Sequence, residues 1–163
     1  MRMRRQLIIG SDHAGFECKQ EVKALLVRLE IDVTDVGTDN GDAVDYPDYG
    51  LRVAERVASG DFTSGILICG SGVGMSIVAN KFPHVRAALC LDEYTAEMSR
   101  RHNDANILIL AGRRTDASTA EKIVTKWLST EFEGGRHQRR LDKIRELEEK
   151  LGRDTPICQN SQK

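Results

Sequence analysis

The sequence has no CxxC pair and no cysteine–histidine cluster with zinc-finger spacing. Its four cysteines stand apart at positions 18, 69, 90 and 158. A disulfide framework is therefore not suggested, and a chain of 163 residues that is 40% apolar can build its core without one. Reduced thiols in a cytosolic protein are the expectation. HxH and HExxH spacings are missing too, which argues against a metal centre. No apolar run approaches the roughly 20 residues of a membrane span. The basic start (Arg2, Arg4, Arg5) is followed only by Leu7, Ile8 and Ile9 before Gly10, too little for a secretory signal. The chain reads as soluble and cytoplasmic, with no membrane partner. Charge of one sign is also lacking: 24 Lys and Arg face 25 Asp and Glu, a net charge of −1. That argues against a nucleic-acid partner held by bulk electrostatics, while a local basic pocket can still meet a small anion. Neither an internal repeat nor a low-complexity linker interrupts the chain. One domain over residues 1–151 is expected, followed by a polar tail over 152–163 that holds Cys158.

What is present is an alternation. Leu7 to Ile9, Ile31 to Val36, Gly65 to Cys69, Arg86 to Leu91 and Asn106 to Ala111 read as short apolar strands. Helical spacing of apolar residues marks 15–29, 47–59, a stretch from the Gly-rich turn to about Lys81, 93–102, 116–130 and 137–151. Residues 37–45 form a polar loop rich in turn formers. Continuous apolar strands alternating with helices predict a parallel sheet covered on both faces. The expected fold is α/β, a Rossmann-like three-layer sandwich with a five-stranded parallel sheet and an extra C-terminal helix. That last helix carries Leu141, Ile144, Leu147 and Leu151 on one stripe. The stripe needs an apolar surface, either its own domain or a partner subunit.

In such a sheet, ligands bind beyond the carboxyl ends of the strands. Asp12 and His13 follow the first strand, Cys69 to Gly74 the third, and Arg113 and Arg114 the fifth. His102 and Asn103 end a helix just before the fifth strand. Most of these groups are expected along one edge of the sheet. The turn Gly70-Ser71-Gly72-Val73-Gly74 links strand to helix, and glycines there can expose successive amides as a cradle for negative charge. Taken alone, the turn means no more than tight strand–helix packing. Cys69 stands at its mouth, and a helix N-terminus favours the thiolate. A thiolate beside an oxyanion cradle can take a proton from carbon, or it can act as a nucleophile. Cys18, on a helix, and Cys90, inside a strand, read as small hydrophobes. His13 and His102 are open to roles as general acid, anion binder or surface residue, and His84 reads as surface. Arg136, His137, Arg139 and Arg140 crowd a helix start, where cations oppose the dipole. A phosphate held there would relieve the misfit; a solvated charged face is the other meaning.

Six short motifs now stand in register: Ser11-Asp12-His13-Ala14-Gly15-Phe16, Asp45-Tyr46-Pro47, Cys69 to Gly74, Ala79-Asn80-Lys81, Arg101 to Asn106, and Glu133-Gly134-Gly135-Arg136-His137. In order and spacing, from about Gln6 to Leu151, the chain resembles the ribose-5-phosphate isomerase B family. The resemblance implies interconversion of ribose 5-phosphate and ribulose 5-phosphate in the non-oxidative pentose phosphate pathway, without metal or organic cofactor. It implies dimers, or dimers of dimers, with sites shared between subunits. Cys69 matches the proton-abstracting base and His102 the residue that assists ring opening. Gly70, Ser71, Gly72, Val73 and Gly74 match the loop that holds the enediolate. Asp12, His13, Tyr46 and Asn103 match sugar- and phosphate-side contacts, and Arg113, Arg136 and Arg140 match phosphate-binding arginines. A subclass of the family places a glutamate just after the Gly-rich turn; here that position is Met75, so the chain resembles the cysteine subclass. Isomerases of six-carbon sugar phosphates such as allose or galactose 6-phosphate are the near alternative, and a non-catalytic binding module is the distant one.

Overall fold

The apolar runs form strands because helices cover both faces of the sheet they build. The structure is a computed structural model and describes residues 6–152; Cys158 and the rest of the tail lie outside the described residues. Five strands, β1 (Gln6–Ser11), β2 (Asp32–Asp35), β3 (Gly65–Cys69), β4 (Ala87–Leu89) and β5 (Ile107–Ala111), form one parallel sheet in the order β2-β1-β3-β5-β4. The three inner strands are almost wholly buried.

Alternate side chains feed two cores. Leu7, Ile9, Ile66, Ile68, Leu108 and Leu110 meet α1 (Phe16–Arg28), α4 (Glu93–Asn103) and α5 (Ala117–Ser129) through Val22, Leu26, Ala96, Ile123 and Val124. On the other face, Ile8, Leu67, Cys69, Ile107 and Ile109 meet α2 (Tyr46–Ala58) and α3 (Val73–Ala79) through Val53, Ala54, Met75 and Ala79. Each fully buried Leu, Ile or Val contributes about 1.5–3 kcal/mol relative to exposure, so the two layers are held by many small terms rather than by one clasp. Caps set the helix starts. Asp92 and Thr95 form a reciprocal capping box for α4, and Asp116 accepts from the Thr119 amide at 2.7 Å to start α5.

The edge strand β4 is shorter than the apolar run Arg86 to Leu91 suggests. Its edge is closed by side chains. Asn80 accepts from the Ala87 amide and donates to the Ala87 carbonyl, both at 2.9 Å, in the place of a further strand. Asn80 Nδ2 also donates to the Ser76 carbonyl at 2.9 Å, and α3 ends at Ala79 rather than Lys81. The Asn106 side chain accepts from the Arg86 amide at 2.8 Å and donates to the His84 carbonyl at 2.7 Å. These two motif asparagines therefore hold an edge of the sheet.

The last helix, α6 (Arg136–Lys150), leaves its stripe half open. Ile144, Leu147 and Leu151 are 42%, 54% and 57% exposed, so their own domain covers them only in part. They rim a groove of about 350 Å³ together with Val85, Ala88 and Asn103. No helix among the described residues is long and apolar enough to cross a membrane.

Candidate active site

The carboxyl edge of the sheet gathers the first set of expected residues. Parallel register puts Ser11 beside Ile68 and Cys69 beside Ala111. The next residues of each strand are therefore neighbours. The Asp12 amide donates to the Ile68 carbonyl at 3.3 Å, the Gly112 amide to the Cys69 carbonyl at 2.8 Å, and the Arg113 amide to the Gly70 carbonyl at 3.1 Å. Cys69 is 4% exposed and packs at the end of the apolar layer with Met75 and Ile109. Immediately beyond it the chain turns through Gly72, whose φ of +75° suits glycine alone, and α3 begins. A side chain there would also press on Leu89 at 2.5 Å. The first amides of α3 have no acceptor within the helix. Ser71 is exposed and its Oγ accepts from the Val73 amide at 3.3 Å. The Tyr46 ring lies flat against Gly74, where an added Cβ would sit 2.6 Å from the ring carbons.

Asp12 and His13 are held from below. One Asp12 carboxylate oxygen accepts from the Gly15 amide at 3.0 Å, capping the 3-10 turn His13–Gly15. That leaves its second oxygen for a ligand, although the side chain is 6% exposed. His13 Nδ1 lies 3.2 Å from both the amide and the carbonyl of Val44, so either tautomer is served.

The second set does not join the first. In a parallel sheet each covering helix carries the chain back to the amino edge. Accordingly α4 delivers His102 and Asn103 to the end opposite Cys69. Arg86, just before β4, donates from Nε to the Asn103 carbonyl at 3.0 Å. Cys69 stands four register steps from Gly65 and Ile107. At ~3.3 Å per residue that is roughly 13 Å along the sheet. The expectation that most of these groups share one edge holds for Asp12, His13, Tyr46, Cys69 to Gly74 and Arg113. His102 and Asn103 are the exceptions, because helix ends and strand ends point to opposite sides, and the start of α6 with Arg136 and Arg140 lies with them.

At the amino edge, the His102 ring stacks on His137 with centroids 4.2 Å apart and planes within 10°. His137 is 2% exposed, and Arg136 donates from Nε toward its Nε2 at 3.5 Å. Burial, then the positive charges of His102, Arg136 and Arg140, push the His137 pKa down against the opposing pull of Glu133. Glu133 is tied to Arg101 at 3.1 Å. Ligand atoms of His102, Glu133 and His137 lie within 4.8 Å of one another. Arg136 occupies His137 Nε2, and the surrounding arginines oppose a dication. An oxyanion fits this cluster better.

Reading by motif passed over two residues. His137 reads as one of a basic run, and only its stacking partner reveals it as buried. Lys19 is buried on α1, and the signal was available: positions 19, 22 and 26 fall on the apolar stripe. Cys18 and Cys90 are inert by comparison. Burial, with Glu21 nearby, pushes the Cys18 thiol up to about 11, and burial raises that of Cys90.

The geometry has close counterparts. The sequence profile of the family described as Ribose/Galactose Isomerase matches residues 7–144. The ribose-5-phosphate isomerase B of Escherichia coli is 44% identical over 146 residues, covering 90% of this chain and 98% of that protein. The solved ribose-5-phosphate isomerase B of Clostridium thermocellum is 51% identical and superposes with a TM-score of 0.87 over 90% of this chain and 99% of its own. The Mycoplasma genitalium ribose-5-phosphate isomerase B, solved with bound ribulose 5-phosphate, is 43% identical with a TM-score of 0.86, over 91% and 99% of the two chains.

Proposed function

The chain belongs to the ribose/galactose isomerase family, and from that premise we propose that it interconverts ribose 5-phosphate and ribulose 5-phosphate through an enediolate. The observation that carries the reading is the seat of Cys69, at a strand end before a glycine turn, where Ile68, Cys69 and Gly70 accept from the amides of Asp12, Gly112 and Arg113. In this reading Cys69, as thiolate, removes the proton from C2 of the open aldose and returns it at C1. Ser71 and the Gly70–Gly74 backbone hold the negative oxygen that forms, where such donors act most strongly. Asp12, Tyr46 and Asn103 orient the sugar. His13, Arg113, Arg136 and Arg140 hold the phosphate, whose binding energy aligns the reacting carbons. His102 transfers the proton that opens the ring.

The two edges have a consequence for assembly. An acid and a base serving one sugar must each come within about 3 Å of the atoms they act on. Residues at opposite edges of one sheet do not meet that condition, so the site is built from the Cys69 edge of one chain and the His102 edge of another. The half-open stripe of Ile144, Leu147 and Leu151 supports pairing of this kind. The working unit is a homodimer, or a pair of such dimers, of chains with one domain over residues 1–151; its place is the cytoplasm. The test is isomerisation of ribose 5-phosphate in deuterated water. Cys69→Ala should lose turnover and carbon-bound exchange by about 10²–10⁴-fold. Unchanged turnover in Cys69→Ala refutes the assignment of the base. Parallel assays on allose and galactose 6-phosphates measure the preference for chain length.

A further inference from the structure

The most deeply buried Lys, Arg, His, Asp or Glu side chain among the described residues takes no part in the chemistry above. Lys19 is 1% exposed, on the face of α1 that carries Val22 and Leu26. An ammonium in such a place is strongly unfavourable unless its protons are matched. Its Nζ donates to Asp35 Oδ1 at 2.9 Å and to the Thr38 carbonyl. Asp35 is itself over-determined: Lys23 reaches its other oxygen at 2.8 Å and the Gly37 amide donates at 3.0 Å. Burial works to raise the Asp35 pKa, but the hydrogen bonds from Lys23, Lys19 and Gly37 outweigh it and hold the carboxyl below its ordinary value.

What this network grips is backbone beside the site. The Val36 amide donates to Ile9 at 2.9 Å, and the Thr38 amide to the Ser11 carbonyl at 3.0 Å. Between them Gly37 lies flush on the end of β1: an added Cβ would stand 2.5 Å from the Ser11 nitrogen and 3.0 Å from Lys19 Nζ. Asp12 is the next residue of the chain. The exposed loop that follows Thr38 then reaches Val44, whose backbone meets His13 Nδ1 at 3.2 Å. The loop is thus pinned at one end by Lys19 and at the other by His13.

We propose that Lys19 is a positioning residue for the isomerase: through Asp35 and the Gly37–Thr38 backbone it fixes the end of β1 and the loop to Val44, and so sets where Asp12 and His13 meet the sugar phosphate. The proposal rests on the isomerase reading above. A residue that served stability alone would show activity following stability. A positioning residue separates the two.

Two variants make the distinction. Lys19→Met keeps the apolar stem and leaves Asp35 short of a partner and Thr38 without a donor. Lys19→Met/Asp35→Leu removes both charges, and replacing a buried pair by apolar groups commonly restores stability. Thermal midpoints should fall in the first variant and recover in the second. The KM for ribose 5-phosphate should rise about tenfold in both with a smaller change in kcat, the effect of a misplacement under 1 Å. The nitrogen resonance of His13 Nδ1 should shift in both. A KM that recovers together with the thermal midpoint, or a wild-type KM in folded Lys19→Met, overturns the proposal. If the single variant does not fold, the double variant decides by its KM. The His13 resonance judges the proposal even if the wild-type chain fails to isomerise this sugar, an outcome that would count against the function and not against the clamp.

Discussion

Two inactive variants, mixed, should restore each other. Cys69→Ala chains keep a sound His102 edge, and His102→Ala chains keep a sound Cys69 edge. The two edges lie roughly 13 Å apart along the sheet, with Cys69 at the carboxyl end of β3 and Asn103 bound to Arg86 before β4. A site shared across a two-fold axis draws one edge from each chain. When the variants are unfolded and refolded together in equal amounts, random pairing makes about half of the dimers mixed. Each mixed dimer has one site with both residues intact and one with neither. The mixture should therefore turn over at about a quarter of the wild-type rate per chain, above parents reduced by about 10²–10⁴-fold. The assay is ribulose 5-phosphate formation, with native mass spectrometry to count mixed dimers. If mixed dimers are present and turnover stays at the level of the parents, both residues serve the same chain's site, and the inference from the two edges is wrong.

Leu147→Glu places a charge in the exposed apolar stripe of α6, where Leu147 is 54% exposed. Covering the half of the side chain that is still open contributes about 1–1.5 kcal/mol for each chain, and a buried unpaired carboxylate costs more, so the variant should sediment as a folded monomer without turnover; an active monomer would contradict the shared site. The buried His137 ties stability to pH. Its pKa in the fold lies below the ordinary 6.5 because burial and the charges of His102, Arg136 and Arg140 disfavour the imidazolium. The unfolded chain then binds the proton more readily. The stability this histidine contributes is full above about pH 6.5 and is lost as pH falls through the folded pKa. Urea midpoints should drop from pH 7 to pH 5 more steeply in the wild type than in His137→Gln, and added phosphate should flatten the wild-type curve. Parallel curves for the two proteins would remove His137 from the account.

The alternation of apolar runs and helical stripes made the sheet and its helices legible, because both periods arise from burial on known faces. Boundaries were less so. The ends of β4 and α3 are decided by Asn80, whose amide replaces a strand neighbour, and no local pattern announces that. The rule that ligands sit at strand carboxyl ends found Asp12, His13, Cys69 and Arg113 together. The same reasoning, carried one step further, places His102 at the other edge, since it ends a helix that runs back. His137 and Lys19 depended on partners distant in sequence, a stacked ring in one case and Asp35 with a loop carbonyl in the other. Motif spacing speaks to what a residue is; such partners speak to what it touches.

The division of the site follows from the shared direction of the strands more than from any single residue. A thiol that must sit beside freed amides belongs at a strand end, where the turn into α3 begins. A histidine kept close to arginines and a second histidine finds them where α4 ends and α6 starts. One parallel sheet cannot bring those two places together, because the strands between them have a fixed rise. A second copy can, provided each chain leaves a surface to be covered. The apolar stripe of α6 runs from that arginine-bearing start along the groove that Asn103 helps to line. The helix that supplies Arg136 and Arg140 thus also supplies the half-open face, so the contact that buries the stripe would carry the anion-holding residues toward a neighbour's thiol. On the proposed shared site, association and completion of the site would be one event.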